Sequence, residues 1–441
     1  MQISYSRSLN VIADVDVLVC GVGCAGTGAA VGAARLGASV LAVEQCGFAG
    51  GFMTAITSNA TDGLCDMTTG EVVVGGVVLE ILERLGKITL PLKSRKIFEP
   101  LTDQEKLDKH PGKLPIRTGN VDRFKLVADR LIRESGARVL YHTKVVDVVS
   151  RGGRIHHVVL GNKDGLTAVR PKVVVDCTGD ADVAAWAGAP YEMAAVRQPG
   201  SLHFRVGNVD NANTSDKLYA LTKRCAEVIE EAHRAGEMGV YAGPGIAPMG
   251  PGEVMFNAVR VAFDSTSAQQ TSDAEIKGRE DAWTMYSIWK ERLPEFANAY
   301  FVTSGPVIGA RESRRIVGER TLTADDVFHT RRYEDAVAKG SWYMDRHPSD
   351  TSGFHKHTIV PAYDISYGTL LPRKVENLLV AGRCHSADQE ALASSRVNMT
   401  AMALGEGAGV GAAMAAAGAV APADIDRSDL RRRLAAQGAL L

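Results

Sequence analysis

Two textures alternate along the chain. Residues 15–20 (VDVLVC), 39–43 (SVLAV), 172–177 (KVVVDC) and 377–381 (NLLVA) are short, mostly apolar runs. Strands buried on both faces of a parallel sheet read this way, since neither face meets water. Residues 201–209 (SLHFRVGNV) and 253–263 (EVMFNAVRVAF) instead alternate, as strands with one solvated face do. Helical patterns fall at 25–36, a small-residue segment, and at 120–135, where Phe124, Val127, Ala128 and Leu131 share a face. Two more fall at about 272–292 and at 397–417. Residues 138–160 (RVLYHTKVVDVVSRGGRIHHVVL) read as strand, strand, Gly-Gly turn and strand, a small β-meander.

Strand, glycine turn, helix and strand between residues 15 and 43 make one βαβ unit with a right-handed crossover. The buried-strand texture returns near residue 377, so the pattern predicts an α/β domain made of residues 1–190 and 371–441. A mixed α+β domain, residues 191–370, is inserted as a cap. Residues 87–119 shift to Lys, Asp and Pro and read as a surface excursion.

Composition narrows the partners. The 441 residues carry 50 Lys plus Arg against 51 Asp plus Glu, a balance that favours neither nucleic acid nor an anionic membrane and leaves small molecules as partners. Seven cysteines, odd in number and without a C-x-x-C pair, suit free thiols in a reducing compartment. The N-terminus lacks a basic region followed by an apolar run, and the Ala/Gly-rich segment 408–420 is too short to span a bilayer. A cytoplasmic protein is expected.

Gly21-Val22-Gly23-Cys24-Ala25-Gly26 is a G-x-G-x-x-G between strand and helix. In that context Gly21 permits the turn, Gly23 lets backbone approach a pyrophosphate, Gly26 lets helix and strand pack, and the helix N-terminus attracts phosphate. Glu44 ends the second strand, where a carboxylate can accept hydrogen bonds from a ribose diol and disfavours a 2′-phosphate. Gly50-Gly51 and the strand end Thr178-Gly179-Asp180 offer further backbone approaches at the same sheet edge. The segment 381–409 (AGRCHSADQEALASSRVNMTAMALGEGAG) returns to that edge and starts a helix near Arg396-Val397-Asn398. Such a helix end suits the electron-accepting edge of a flavin, which makes FAD the expected dinucleotide and NAD the alternative.

Together VDVLVCGVGCAG, GFAGG, VVVDCTGDADVA, GARESRRIVGERTLT, PAYDISYGTLLP and the 381–409 segment resemble the FAD-dependent oxidoreductase family of the glutathione-reductase-like superfamily. That family is a distant relative of the fumarate reductase and succinate dehydrogenase flavoproteins. The resemblance spans nearly the whole chain. It implies a Rossmann-like FAD domain with a β-meander, and FAD contacts at Gly21, Gly23, Ala25, Gly26, Glu44, Gly50, Gly51, Val145, Thr178, Gly179, Gly382, Arg383, Arg396 and Val397. The chain departs from the family at Gly368, where Arg is common, and near Met399, where Pro is, so the substrate class does not carry over. With no His between residues 50 and 57, non-covalent FAD is expected.

On the substrate side, His355 and His357 stand two apart in GFHKHTIV, a spacing that on a strand puts both imidazoles on one face for proton exchange. The pair lacks a third ligand, so no metal is expected. Arg311, Arg314 and Arg315 flank Glu312; Arg311 is the candidate clamp for a carboxylate or a flavin carbonyl, with a buried Arg–Glu network as the alternative. Asp388, Glu390, Ser394 and Ser395 either line the pocket or cap a helix, Ser394 or Ser395 being the expected N-cap. Cys384-His385 reads as packing rather than a nucleophile with its base, and Gly405–Gly411 as helix packing rather than a second nucleotide loop.

The expectation is a flavoenzyme moving a hydride between a carbon of a small polar metabolite and flavin N5, by dehydrogenation, C=C reduction, or alcohol or amine oxidation. With no second G-x-G-x-x-G between strand and helix, electrons pass to or from an external carrier. An electron-relay flavoprotein subunit and an NAD-dependent dehydrogenase are the alternatives, and a second copy of the chain is a further candidate partner.

Overall fold

A computed structural model describes residues 3–4, 6–96, 117–210, 212, 215–354 and 357–441. Most of the expected surface excursion therefore lies outside the described residues. In chain order the strands are β1 (Asn10–Cys20), β2 (Val40–Val43), β3 (Arg138–Leu140), β4 (Lys144–Arg151), β5 (Arg154–Asn162), β6 (Gly165–Asp176), β7 (Tyr191–Glu192), β8 (Phe204–Gly207), β9 (Tyr241–Gly250), β10 (Glu253–Val259), β11 (Tyr300–Ser304), β12 (Arg315–Ile316), β13 (Ala336–Gly340), β14 (Tyr363–Ser366) and β15 (Leu378–Val380). The α-helices are α1 (Cys24–Ala34), α2 (Val77–Arg84), α3 (Val121–Glu134), α4 (Asp182–Trp186), α5 (Ser215–Arg234), α6 (Ala268–Arg292), α7 (Ala324–Phe328), α8 (Gln389–Ser395), α9 (Asn398–Gly418) and α10 (Arg427–Ala436).

The larger sheet has seven strands. β3, β2, β1, β6 and β15 run parallel, while β6 also opens the antiparallel meander β6-β5-β4. This is a Rossmann-like α/β core carrying a meander. Its mostly apolar strands are buried on both faces, as their texture required: Val17 and Val19 point into the core shared with α1 and α9, and Leu18 and Cys20 into the one shared with the meander. β1 and β6 are longer than their apolar runs, because their N-terminal halves pair with each other beyond the two-sided core.

A second sheet, β11-β8-β10-β9, packs on α5 and α6 around a separate core that includes Phe204, Phe256 and Trp289. Residues 322–371 contribute apolar side chains to the first core, where Tyr363, Ile365 and Tyr367 join α9. Helices α2, α5 and α10 were absent from the hydrophobic reading. The helix beginning at Asn398 is as expected, yet α10 follows it and closes the described chain. No described helix is long and apolar enough to cross a membrane.

Glycines decide how α1 meets α9. A Cβ at Gly28 would lie 2.1 Å from the Met402 carbonyl oxygen, at Gly405 1.8 Å from that of Ala25, and at Gly409 2.1 Å from that of Ala29. The two backbones are thus in direct contact, and the Gly405–Gly411 run serves helix packing as the sequence suggested.

Candidate functional site

The first half of the site is the turn between β1 and α1. Gly21 has φ +89°, and a Cβ there would meet the Cys177 carbonyl oxygen at 2.6 Å; at Gly26 it would meet the Gly21 oxygen at 1.8 Å. Packing therefore requires both glycines. Gly23 differs: a Cβ there would find nothing nearer than the Gly51 Cα at 3.8 Å. The protein leaves room at this glycine, as a cradle for an approaching pyrophosphate must. Gly23 is also the N-cap of α1 and offers no side chain to the helix, so the first-turn amides of Cys24, Ala25 and Gly26 are left for a ligand. These residues fit a dinucleotide.

Around the turn, Gly50 donates its N–H to the Val22 carbonyl at 2.8 Å, and Gly51 (φ +48°) lies against Gly23. Glu44 Oε2 accepts the Val22 N–H at 2.7 Å and Oε1 the Cys46 N–H at 2.9 Å, so the carboxylate braces the loop while its remaining lone pairs stay available. The Thr143 N–H donates to the Glu44 carbonyl at 2.9 Å, which brings the start of β4 and the buried Val145 to the same end. Thr178 donates its N–H and hydroxyl to Asp176, and Gly179 (φ +84°) passes beside the Arg383 guanidinium. Arg383 donates to Ser313 Oγ at 2.7 Å and Asp180 Oδ1 at 2.8 Å, and Gly382 (φ +92°) packs on Ala25. Cys20 is fully buried, and Cys24 donates to the Gly50 carbonyl at 3.3 Å with its thiol pushed up to about 12 by burial, so both are packing residues.

The second half is a polar cleft. Phe52, next to Gly51, meets the His203 ring edge-on at 5.9 Å. His203 is buried, and burial with the Arg311 charge holds its pKa down to about 3. Arg311 donates to the Pro199 carbonyl at 2.6 Å; burial, the Arg396 charge and the Arg260 charge pull its pKa down to about 9 against the opposing pull of Asp345. Arg396, preceding the helix α9, donates to the Asp345 backbone carbonyl at 3.0 Å and lies 3.3 Å from its carboxylate. The Nε atoms of Arg260 and Arg396 and the Oγ1 atoms of Thr57 and Thr400 are buried without a hydrogen-bond partner among the described residues. Buried polar groups rarely stay unpaired, so these atoms are open to hydrogen bonds with a ligand.

Asp345 is the anion at the centre. It meets His347 Nε2 at 3.0 Å and His357 Nδ1 at 3.0 Å. The antiparallel bridge between Met344 and Thr358 explains the second contact, because it sets Asp345 opposite His357. His357 lies outside regular strand, and its ring stacks on Tyr343 at 5.5 Å. His355, the other histidine of the expected pair, lies outside the described residues. Burial also pushes the Asp62 carboxyl up to about 7, although the nearby Arg117 and Arg396 charges oppose this.

Other candidates are structural. Arg315 pairs with Glu312 at 2.7 Å with both side chains buried, and Glu312 Oε2 also accepts from the Gln198 N–H and from Gln389. Arg314 binds Asp182. Neither Ser394 nor Ser395 caps a helix: both are buried inside α8, where Ser394 donates to the Trp342 carbonyl, and Asp388 is the N-cap. Geometry overrides residue preference here, since the N-cap of α9 is Val397, which offers no side-chain cap. His385 bonds the Gly382 carbonyl and Ser395, while the Cys384 thiol donates to the Ala381 carbonyl. Among the described residues no group of His, Cys, Asp and Glu could hold a metal. The sequence reading missed Asp345, His347, His203, Arg260, Gln198 and Asp62.

No curated protein matches the chain. Solved structures similar to it include a geranylgeranyl bacteriochlorophyll reductase-like protein from Thermoplasma acidophilum (14% identity over 96% of this chain and 82% of that one, TM-score 0.45). Others are the flavin-dependent brominase Bmp2 (15%, 96% and 83%, 0.46) and CabE, an aromatic hydroxylase from angucycline biosynthesis (13%, 92% and 63%, 0.46). The chain spans less than two thirds of the hydroxylase's length. The sequence profile of the family described as FAD dependent oxidoreductase matches residues 16–434. The chain therefore belongs to the FAD-dependent oxidoreductases: it is an enzyme, and FAD is its cofactor.

Proposed function

We propose that the enzyme oxidises or reduces a carbon of a small anionic metabolite held in the polar cleft. Non-covalently bound FAD supplies the chemistry of accepting or giving up a hydride. The residues offered to it are Gly21, Gly23, Ala25, Gly26 and Glu44 with Val145 at one end, Gly50, Gly51, Thr178, Gly179, Gly382 and Arg383 between, and Arg396 and Val397 at the other. Residues 1–190 with 371–441 form the cofactor domain, joined by residues 322–370, whose apolar side chains enter its core, and the sheet β11-β8-β10-β9 with α5 and α6 forms the cap over the substrate. Electrons leave or enter through an external carrier.

The carrying observation is the excess of buried positive charge. Arg260, Arg311 and Arg396 are largely buried, the Nε atoms of Arg260 and Arg396 have no hydrogen-bond partner among the described residues, and burial lowers the pKa of each, so that further counter-charge would be favourable. An anionic substrate group would supply it, with Arg311 presenting a planar fork to a carboxylate. His357, seated on Asp345, holds or releases the proton that accompanies the hydride.

The test is anaerobic bleaching of the flavin by a panel of metabolites, each paired with a neutral amide or ester analogue. An anionic metabolite should bleach, its neutral analogue should not, and Arg311→Gln should raise the half-bleaching concentration by about 10- to 100-fold. Equal bleaching by the neutral analogue would sink the anion reading. Flavin retained on the protein after acid precipitation would sink the non-covalent one.

A further inference from the structure

The unpaired atoms of the cleft are not all on guanidinium groups. Residues 200–207 run extended, bridged to Val261 at Gly200, to Gly309 at Ser201, and to β10 and β11 from Phe204 on. Leu202, Phe204 and Val206 enter the cap core, so alternation turns Ser201 and His203 to the opposite face. That face rests on residues 52–57 of the cofactor half. Phe52 meets His203, and in the neighbouring segment a Cβ at Gly305 would lie 2.9 Å from the Ala55 carbonyl oxygen and one at Gly309 2.2 Å from Ile56 Cδ1.

Polar groups close this contact without being satisfied by it. Ser201 and His203 are 4% and 3% exposed, and neither Ser201 Oγ nor Thr57 Oγ1 has a hydrogen-bond partner among the described residues. The Asn257 amide lies near enough to the His203 ring to favour its charged form, yet Asn257 Oδ1 and His203 Nδ1 are both buried without a hydrogen bond of proper geometry. Thr57 is also held at φ +60°, a conformation that a β-branched residue rarely takes. Backbone strain of this kind persists where the surrounding fold enforces it, and it collects at ligand sites.

We propose that Ser201, His203 and Thr57 form an uncharged subsite that binds a hydroxyl or carbonyl oxygen of the substrate, beside the anionic group held by Arg311, so that the substrate is a hydroxy acid or an oxo acid. Arg311 ties the two subsites together: it donates to the Pro199 carbonyl, two residues before Ser201, and its charge bears on the His203 ring. The three groups suit oxygen by their chemistry. Each hydroxyl both donates and accepts, and a neutral imidazole does so at its two nitrogens. Burial and the Arg311 charge keep that ring neutral, its pKa being held down to about 3. A substrate ammonium would meet the same repulsion from Arg311, with no carboxylate among the three residues to offset it. An amine substrate therefore fits the subsite poorly, and an oxygen-bearing carbon fits it well.

The acid half of this inference rests on the anionic reading above, and the test keeps the two apart. FAD-loaded protein is titrated calorimetrically with 2-, 3- and 4-hydroxybutyrate and 2-oxobutyrate against butyrate, and with malate against succinate, each also as its methyl ester. At least one oxygen-bearing acid should bind about 10- to 100-fold tighter than the acid lacking the oxygen, because the buried hydroxyls are otherwise left unpaired. Ser201→Ala or Thr57→Val should cut that ratio by about 10-fold, and Ser201→Ala combined with His203→Phe should bring it near one. Ser201→Ala removes a hydroxyl that has no partner of its own, so it should unfold at an unchanged or higher temperature, and a lost ratio then reports recognition rather than damage. Equal affinities within every pair, undetectable binding included, would overturn the subsite, as would a ratio that survives the double substitution. A preference for the oxygen that is as strong in the esters as in the acids leaves the subsite standing and overturns only the anionic reading beneath it.

Discussion

The dinucleotide cradle and the polar cleft adjoin at Gly51 and Phe52 but are built on opposite principles. In the cradle nearly every constraint is closed within the protein: Gly21, Gly26, Gly28, Gly405 and Gly409 each exclude a Cβ by backbone contact, and of the three glycines of the G-x-G-x-x-G turn only Gly23 faces open room. In the cleft, guanidinium nitrogens and hydroxyls are buried without partners, and three arginines depend on few carboxylates. The cradle is complete as a packing problem. The cleft is incomplete as an electrostatic one, and that deficit is what a substrate must make good.

The sharpest break falls on the cradle. Gly405→Ala places a Cβ 1.8 Å from the Ala25 carbonyl oxygen, and a backbone atom cannot swing aside. Destabilisation at or above the top of the ~1–3 kcal/mol usual for overpacking is expected, and Gly405→Leu should yield no folded, yellow protein. Gly37→Ala is the control: its φ is +83° but nothing lies within 4 Å, so only backbone strain of about 1 kcal/mol is added. Urea unfolding followed by flavin release measures both, and equal losses at the two positions would refute the packing argument.

The contrast also explains what was legible in the sequence. The cradle could be read because a tight turn and close backbone contacts demand particular residues at fixed spacing, as in Gly21 to Gly26, Gly50-Gly51 and Gly405 to Gly411. The cleft could not, because its groups come from distant segments that meet only in the folded chain. Asp345 reaches His357 through one isolated bridge, and Gln198 reaches His347 across a loop. One signal was present. In residues 253–263, Arg260 stands among the apolar residues Ala258, Val259 and Val261, all of them buried, a cation within an apolar run. Helix α2 escaped notice because eight residues give too short a period. The cap at Asp388 was missed because the 388–396 stretch reads as a loop until its neighbours are placed.

A second break falls on the wall of the cleft. Arg315 and Glu312 are buried together, and Glu312 also holds Gln198. Glu312→Ala leaves a buried guanidinium without its carboxylate, and about 3–5 kcal/mol of stability should go with it. The exposed pair Arg427–Glu319 is the comparison, where Glu319→Gln should cost at most about 1 kcal/mol. Chemical denaturation of the two variants checks the pair, and a small loss in Glu312→Ala would mean that the cleft wall tolerates an unpaired cation.

The smallest effect sharpens the comparison, because one buried charge sits inside the glycine-packed half. Glu406 on α9 accepts the Val77 N–H at the start of α2 at 3.0 Å, while its Oε1 is buried without a partner among the described residues. Burial raises its pKa from the ordinary 4.5 to about 7, although the Val77 N–H and the Arg35 charge favour the anion. A group whose pKa is raised in the folded state binds its proton more tightly there. Its contribution to stability is therefore fully present below pH 4.5 and is lost as the pH rises through 7. Glu406→Gln mimics the protonated acid and should remove that slope: the variant and wild type should unfold at similar temperatures near pH 5, with the wild type falling behind by pH 8. Parallel profiles across this range would show that the Val77 N–H keeps Glu406 ionised, and that the cradle, like the cleft, stores an uncompensated charge.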